Sequence, residues 1–381
     1  MAAPRTSRRA TYFVLIPVLL LGGLGARSLA DSHLRALSLL LRFSDPHAHG
    51  LATSFASHPL TEEISTVQTP HGVMRYRMFT PRDVDGPPSL LLLHGVHHLG
   101  MDDPRLVGLA RAMSMTGVRI MTPQLEDLTE YHVTPETVDQ IGDAATFMAQ
   151  KYRAKVGVIG VSFAGGLALI AASRPEYADK MGFVLAVGSH DSMRRVARFF
   201  ASNLLEFPDG KQEHFQSHEY GLLILAYSHL EDFFQPRDLQ AAHDSLRQRL
   251  WEQPAAAGAS QAMSAQGQAT MDLLVNHHER METAMLQEID RHSKDMDAIS
   301  PSGKMAALHV PVYVLHGSGD TIIPASESLW LARDVPRDDL RAVLISPALV
   351  HVDMDKKVTF YDEWALVDFM AKVLDAAGRL Q

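Results

Sequence analysis

Apolar residues along this chain gather into short dense runs separated by longer amphipathic stretches. Ser89 to Leu93, Val156 to Val161 and Met181 to Val187 are close to continuous in Val, Ile, Leu and Ala. Runs of that length without polar alternation predict interior parallel strands covered on both faces. Val118 to Thr122, His309 to His316 and Leu340 to Ile345 read as further strands. The intervening stretches have helical spacing. One spans Asp102 to Thr116, and another runs from Thr134 to about Arg153, with threonine at the N-cap and Pro135 at the first helical position. Ile64 to Pro81, interrupted at His71-Gly72, predicts an antiparallel hairpin ahead of the first parallel strand. The alternation predicts an α/β fold with a mostly parallel, doubly wound sheet and helices on both faces.

The alternation stops between Asp191 and Ser300. Nothing there reads as a strand, whereas Leu239 to Trp251 and Met271 to His292 read as helices and Ala255 to Gln268 as a loop. The expected organisation is therefore a core from residues 61–190 and 301–381, a helical insertion at 191–300, a helical or linker segment at 31–60, and a distinct segment at 1–30.

That first segment carries Arg5, Arg8 and Arg9, then an apolar stretch from Tyr12 to Gly25, then Ser28-Leu-Ala30. A basic start, a short apolar run and a small-x-small ending predict a signal peptide. The Leu-rich spacing from Leu29 to Phe43 keeps open an uncleaved membrane anchor with a helix at the interface. Either way the positive-inside rule predicts export, with the body of the protein outside the cytoplasm.

Composition narrows the chemistry. A hydrophobic fraction of 46% and a charged fraction of 21% belong to a globular chain. The net charge of −9, with no basic run beyond the N-terminus, argues against nucleic acid as a partner. The absence of cysteine excludes disulfides, iron–sulfur clusters and a thiol nucleophile. His214 and His218 stand at i and i+4, and His277-His278-Glu279 is also suggestive, yet neither carries the glutamate of an H-E-x-x-H site. Neither metal nor cofactor is expected. Met271, Met281 and Met285 read as core residues of the insertion.

The most informative stretch is Lys155 to Gly166. Its apolar strand ends on Ser162 and turns at once into the small-residue helix beginning Phe163-Ala-Gly-Gly166. A serine at such a corner presents its hydroxyl at a helix N-terminus, where backbone N–H groups and the helix dipole favour developing negative charge. Gly160-x-Ser162-x-Ala164 resembles the nucleophile elbow of the α/β-hydrolases, G-x-S-x-G, with alanine in place of the second glycine.

The strand ending on His94-Gly95 resembles the one that leads into the family's oxyanion loop. The resemblance implies oxyanion donors at the backbones of Val96 and Phe163. Asp320 follows a later strand and His351 the last one, so Ser162, Asp320 and His351 stand in the family's order. The implied roles are nucleophile for Ser162, general base and acid for His351, and orienting carboxylate for Asp320. A serine hydroxyl needs a base to take its proton, and histidine titrates near working pH.

The resemblance also makes the insertion a cap over the site. It implies hydrolysis of a carboxylic ester or related acyl bond of a small-molecule substrate through an acyl-enzyme. An acyltransferase or peptidase of the same fold, or an inactive binding or scaffold protein at the membrane, stays open, as does the oligomeric state.

Overall fold

In the computed structural model, which describes residues 24–253, 262–349 and 358–380, the expected strands form one eight-stranded sheet. In chain order they are β1 (Leu60–Thr69), β2 (Gly72–Pro81), β3 (Ser89–Leu93), β4 (Arg119–Pro123), β5 (Val156–Val161) and β6 (Met181–Val187). Then come β7 (Leu204–Glu206) and β8 (Gln212–His214), which pair only with each other, and finally β9 (Val312–Gly317) and β10 (Leu340–Ser346). The sheet order is β1-β2-β4-β3-β5-β6-β9-β10. The β1–β2 and β2–β4 pairs are antiparallel, and every other pair is parallel. β5, the strand that leads to Ser162, therefore lies between β3 and β6 with neighbours on both sides.

Sixteen α-helices accompany these strands among the described residues. Before β6 come α1 (Leu24–Ser44), α2 (Leu51–Phe55), α3 (Pro104–Ser114), α4 (Glu126–Thr129), α5 (Pro135–Tyr152), α6 (Phe163–Ala172) and α7 (Pro175–Ala178). The insertion holds α8 (Met193–Ser202), α9 (Glu219–Ser228), α10 (Leu230–Phe233), α11 (Leu239–Leu250), α12 (Ala265–Asn276), α13 (Glu282–Arg291) and α14 (Ser293–Ala298). α15 (Ser326–Asp334) and α16 (Phe360–Gly378) complete the chain.

Period-two alternation divides the core in two. Leu91 and Leu93 of β3 join the cluster under α5, α6 and the insertion, while Leu90 and Leu92 join the cluster under α1, α3 and α16. Every residue of α6 is buried, because it packs against β5 and β6 of the sheet and against α5 and α7. That explains a helix without a polar face. The predicted N-cap of α5 is present, with the Thr134 hydroxyl accepting from the Thr137 N–H.

Four expectations need correction. The insertion does contain strands, since β7 and β8 form a hairpin around Gly210, whose φ is +86°. Runs of three residues are too short to show alternation. The helix expected from Met271 to His292 is two helices, broken at His277. Apolar spacing continues through the break while α12 packs on α9 and α13 on α8, so tertiary contacts turn the chain. Of the loop expected at Ala255 to Gln268, residues 254–261 lie outside the described residues, and Ala265 onward is helical behind the Ser264 N-cap. His214 lies on β8 and His218 caps α9, so the two never share a helix face.

The N-terminal segment up to residue 23 also lies outside the described residues. α1 continues across the expected 30/31 boundary. Ala36, Leu37 and Leu39 are buried in the cluster that α16 shares. Among the described residues no helix is long and apolar enough to cross a membrane. The eighteen methionines include Met271, Met281 and Met285, all buried in the insertion as expected.

Candidate active site

β5 delivers Ser162 onto a turn that ordinary residues avoid. Its φ is 58° and its ψ −135°, a conformation that costs a side chain on the order of 1–3 kcal/mol. The Ser162 N–H donates to Val187 O at 2.8 Å, which ties the corner to the end of β6. The hydroxyl makes no capping bond to α6 and stands at the first turn of that helix.

Space for the turn comes from glycines. A Cβ on Gly160 would overlap the Gly165 Cα and lie 2.7 Å from Ala164 O, and one on Gly165 would lie 2.8 Å from Gly160 O. A Cβ on Gly95 would stand 3.0 Å from the Ser162 Cβ. Ala164, the departure from the expected pattern, is fully buried in the core cluster. The close approach that demands glycine is between 160 and 165, which is why alanine is accommodated at 164.

A strained serine whose hydroxyl bonds to none of the described residues now stands between a parallel strand and a helix, on a central strand of the order just given. This is the α/β-hydrolase fold.

Within that α/β-hydrolase sheet, the expected residues gather at the carboxyl ends of neighbouring strands, where open α/β sheets hold their ligands. The pairing of Leu93 with Gly160 brings the end of β3 beside the end of β5, and Val96 lies on the loop just beyond it. Among the described residues no hydrogen bond is made by the N–H of Val96, and Phe163 is the first residue of α6, where the N–H has no helical partner. On the other side, Val161 pairs with Val187 and Val187 with Leu315. Two strand spacings of about 4.8 Å then separate the Ser162 corner from the β9 end, roughly 10 Å in all.

Asp320 stands on the turn after β9 with its side chain 19% exposed. Its Oδ1 accepts from the N–H groups of Ile322 (2.9 Å) and Ile323 (3.1 Å). Its Oδ2 faces Gly188, at 3.4 Å from a Cβ built there, and among the described residues accepts no hydrogen bond. His316 Nε2 is 3.6 Å from that oxygen but is directed to Ile323 O at 2.8 Å, while Nδ1 accepts from the Ser328 hydroxyl at 2.6 Å. The chain after β10 returns to this turn, with the Leu349 carbonyl pressed against Gly317. His351 lies outside the described residues. Among those described, no histidine nitrogen is hydrogen-bonded to the Ser162 hydroxyl.

Several residues of the site have roles that the sequence does not disclose. His94 is fully buried, and burial lowers its pKa to about 4. Its Nε2 accepts from the Leu125 N–H at 3.0 Å, so Nδ1 carries the proton and donates to Gly95 O at 2.8 Å. A neutral imidazole thus holds the loop before Val96. The start of α9 spans the site, with the His218 N–H donating to Thr321 O (2.8 Å) and the Tyr220 hydroxyl to Val96 O (3.5 Å). Burial raises the Tyr220 pKa, and Tyr131 packs edge-on against that ring. His97 and His98 stack on each other, and His98 on Trp251, so these two line the loop beneath the insertion. A cavity of about 380 Å³ opens beside Phe163, walled by Met193, Ala197 and Phe200 of α8 and by Ile224 and Leu225 of α9.

The chain is similar in structure to a serine hydrolase of the polyaromatic-hydrocarbon-degrading bacterium Cycloclasticus zankles, at 14% identity over 75% of this chain and 90% of that one, with a TM-score of 0.43. It is similar to brefeldin A esterase, a bacterial homologue of human hormone sensitive lipase, at 16% identity over 93% and 86%, TM-score 0.47. It is also similar to the acylaminoacyl peptidase of Pyrococcus horikoshii, at 11% identity over 85% and 42%, TM-score 0.46. No protein-family model and no curated protein matches the sequence.

Proposed function

We propose that this protein is a serine hydrolase that cleaves a carboxylic ester, or a related acyl bond, of a small-molecule substrate through an acyl-enzyme. The observation that carries the reading is Ser162, held at φ 58° at the start of α6 with a hydroxyl that caps no helix and bonds to none of the described residues. Strain of that kind persists only where the surroundings enforce it, and it clusters at functional sites.

In this reading the Ser162 hydroxyl attacks the acyl carbon while His351 takes its proton. The oxyanion is met by the N–H groups of Val96 and Phe163, and His351 then returns the proton to the leaving oxygen. Water repeats the sequence to release the acid. Asp320 Oδ2 supports the far side of the imidazole. Two features favour His351 for the base. It is two residues beyond Leu349, whose carbonyl touches Gly317, and two residues span at most about 7 Å. Asp320 is itself three residues past Gly317, with one carboxylate oxygen still open. The gap of roughly two strand spacings between Ser162 and Asp320 suits one imidazole bonded at both nitrogens. In this reading α9, which bonds to both the Val96 loop and the Thr321 turn, serves as part of a cap that excludes water. The basic and apolar start of the chain supports export.

The test is covalent labelling with a fluorophosphonate probe, followed by turnover of a p-nitrophenyl ester series and matched amides. Labelling of the folded wild type and none of Ser162→Ala is the expected outcome. An intact wild type that takes up no label would instead favour the inactive scaffold. Faster turnover of amides than of esters would move the reading to a peptidase.

A further inference from the structure

A second cluster of chemistry lies in the insertion, at the corner where two helix junctions meet. His229 joins α9 to α10, and His292 joins α13 to α14. Their rings stack with centroids 3.8 Å apart and planes inclined by 18°. Asp232 of α10 sets its Oδ2 2.6 Å from His292 Nε2. One donor atom from each of His229, Asp232 and His292 lies within 4.8 Å of the other two.

We propose that His229, Asp232 and His292 bind one divalent transition-metal ion of the Zn2+ type, which clamps the α9–α10 corner of the insertion to the α13–α14 corner. This proposal does not depend on the hydrolase reading.

Two imidazoles and a carboxylate are a donor set that suits zinc and its neighbours and disfavours magnesium or calcium, which take oxygen. Tetrahedral zinc with bonds of about 2.0–2.1 Å puts its ligand atoms roughly 3.3 Å apart, so binding requires the two stacked rings to tilt toward one point and Asp232 Oδ2 to part slightly from His292 Nε2. The surroundings supply what such a site needs. Glu288 Oε2 is 3.9 Å from His292 Nε2 and stands ready as a fourth donor. Asp295 Oδ2 is 3.6 Å from His292 Nδ1, on the far side of the ring, where carboxylates orient metal-bound histidines.

Asp232 and Glu288 place two carboxylates beside His292, with oxygens 2.6 and 3.9 Å from its Nε2. Arg291 donates to Asp232 Oδ1 at 2.7 Å and to Glu288 Oε2 at 2.8 Å from a half-exposed position. It offsets part of the charge through Asp232 Oδ1, while Asp232 Oδ2 faces His292. His229 and Asp295 also line the cavity beside Phe163, so an ion here would stiffen a wall of that cavity.

The experiment uses the full chain stripped with a chelator and titrated with Zn2+ by calorimetry, then with Co2+ by visible absorption. One ion per chain, bound at micromolar concentrations or tighter, and an intense tetrahedral Co2+ spectrum are expected. Zinc should also raise the melting temperature. His229→Gln and His292→Gln should each weaken binding by at least about tenfold, since loss of an outer-shell partner alone costs 10–100-fold. His214→Gln, on the exposed β8, should leave binding unchanged. Absence of micromolar binding in the wild type, or a Co2+ spectrum no stronger than that of the free ion, overturns the proposal without any variant. Affinity unmoved by both histidine changes overturns it as well, because the ion is then held elsewhere.

Discussion

Gly160 and Gly165 meet back to back beneath Ser162, so close that a Cβ on Gly160 would overlap the Gly165 Cα. A methyl on Gly165 would also run into the Ser189 hydroxyl. Gly165→Ala should therefore cost about 1–3 kcal/mol of stability and most of the activity, because the serine corner has to move. Ala164→Gly, one residue away, should leave the rate within a few-fold of wild type. Denaturant unfolding and initial rates on both variants check the contrast; equal effects would mean the close approach was assigned to the wrong pair.

Strain at Ser162 predicts a trade between stability and activity. Glycine adopts φ 58° and ψ −135° freely, so Ser162→Gly should abolish turnover and raise stability by about 1 kcal/mol, whereas Ser162→Ala should abolish turnover with little gain. Melting temperatures of the three proteins decide it. No gain for glycine over alanine would show that the corner is relaxed.

His351→Ala should lower kcat on the order of 10^4- to 10^6-fold, and Asp320→Asn about 10^4-fold, with melting temperatures close to wild type. The readout is kcat on a short p-nitrophenyl ester. A loss of only a few-fold for His351→Ala would assign the base to another histidine.

Two buried groups set opposing pH dependences. His94 has a folded pKa of about 4 against an ordinary 6.5, so between those values the unfolded chain binds a proton that the folded chain does not. Its contribution is complete above pH 6.5 and is lost as pH falls toward 4, about 2 kcal/mol between pH 7 and 5. Asp191 runs the other way. Burial, with Glu327 nearby, raises its pKa to about 6, so the folded state gains stability as pH falls below that value. The two nearly cancel in the wild type. Asp191→Asn should expose a steep acid loss and His94→Gln an acid gain, measured as unfolding free energies at pH 7 and 5. Parallel slopes in all three proteins would refute both assignments.

Arg195 joins the insertion to the core through two fully buried carboxylates. It donates to Glu327 Oε1 at 2.5 Å and to Asp191 Oδ2 at 2.9 Å, while Glu327 Oε2 also accepts from the N–H groups of Asp191 and Ser192. Arg195→Met leaves those charges uncompensated and should cost about 3–5 kcal/mol. Chemical denaturation is the check, and a loss under about 1 kcal/mol would show that the buried ion pairs do not hold the insertion to the core.

Much of the core was legible in one dimension because local rules act there. Dense runs of Val, Ile and Leu can be satisfied only as strands covered on both faces, and β3, β5, β6 and β9 lie where those runs predict. Thr134 and Pro135 mark the start of α5 for equally local reasons. The Gly160 to Gly166 stretch announced a strand-to-helix corner, since a backbone approach that close admits only small residues there.

The insertion was less legible. Helical spacing runs unbroken from Met271 to His292, and packing of α12 on α9 and α13 on α8 breaks it. The Leu-rich face of α1 has the same pattern whether its partner is a lipid surface or α16, and only the fold supplies α16. His229 and His292 lie 63 positions apart and share no motif, yet two helix corners stack their rings.

By itself, then, the sequence determined the strands of the eight-stranded sheet, the corner at Ser162 and the order of Ser162, Asp320 and His351, because each depends on neighbours along the chain. Tertiary structure alone decided that the ends of β3, β5 and β9 converge, that α9 lies across them, and which Asp320 oxygen is left open. Those relationships are made by strand pairing and packing between segments far apart in the chain, and no local pattern encodes a distance between them.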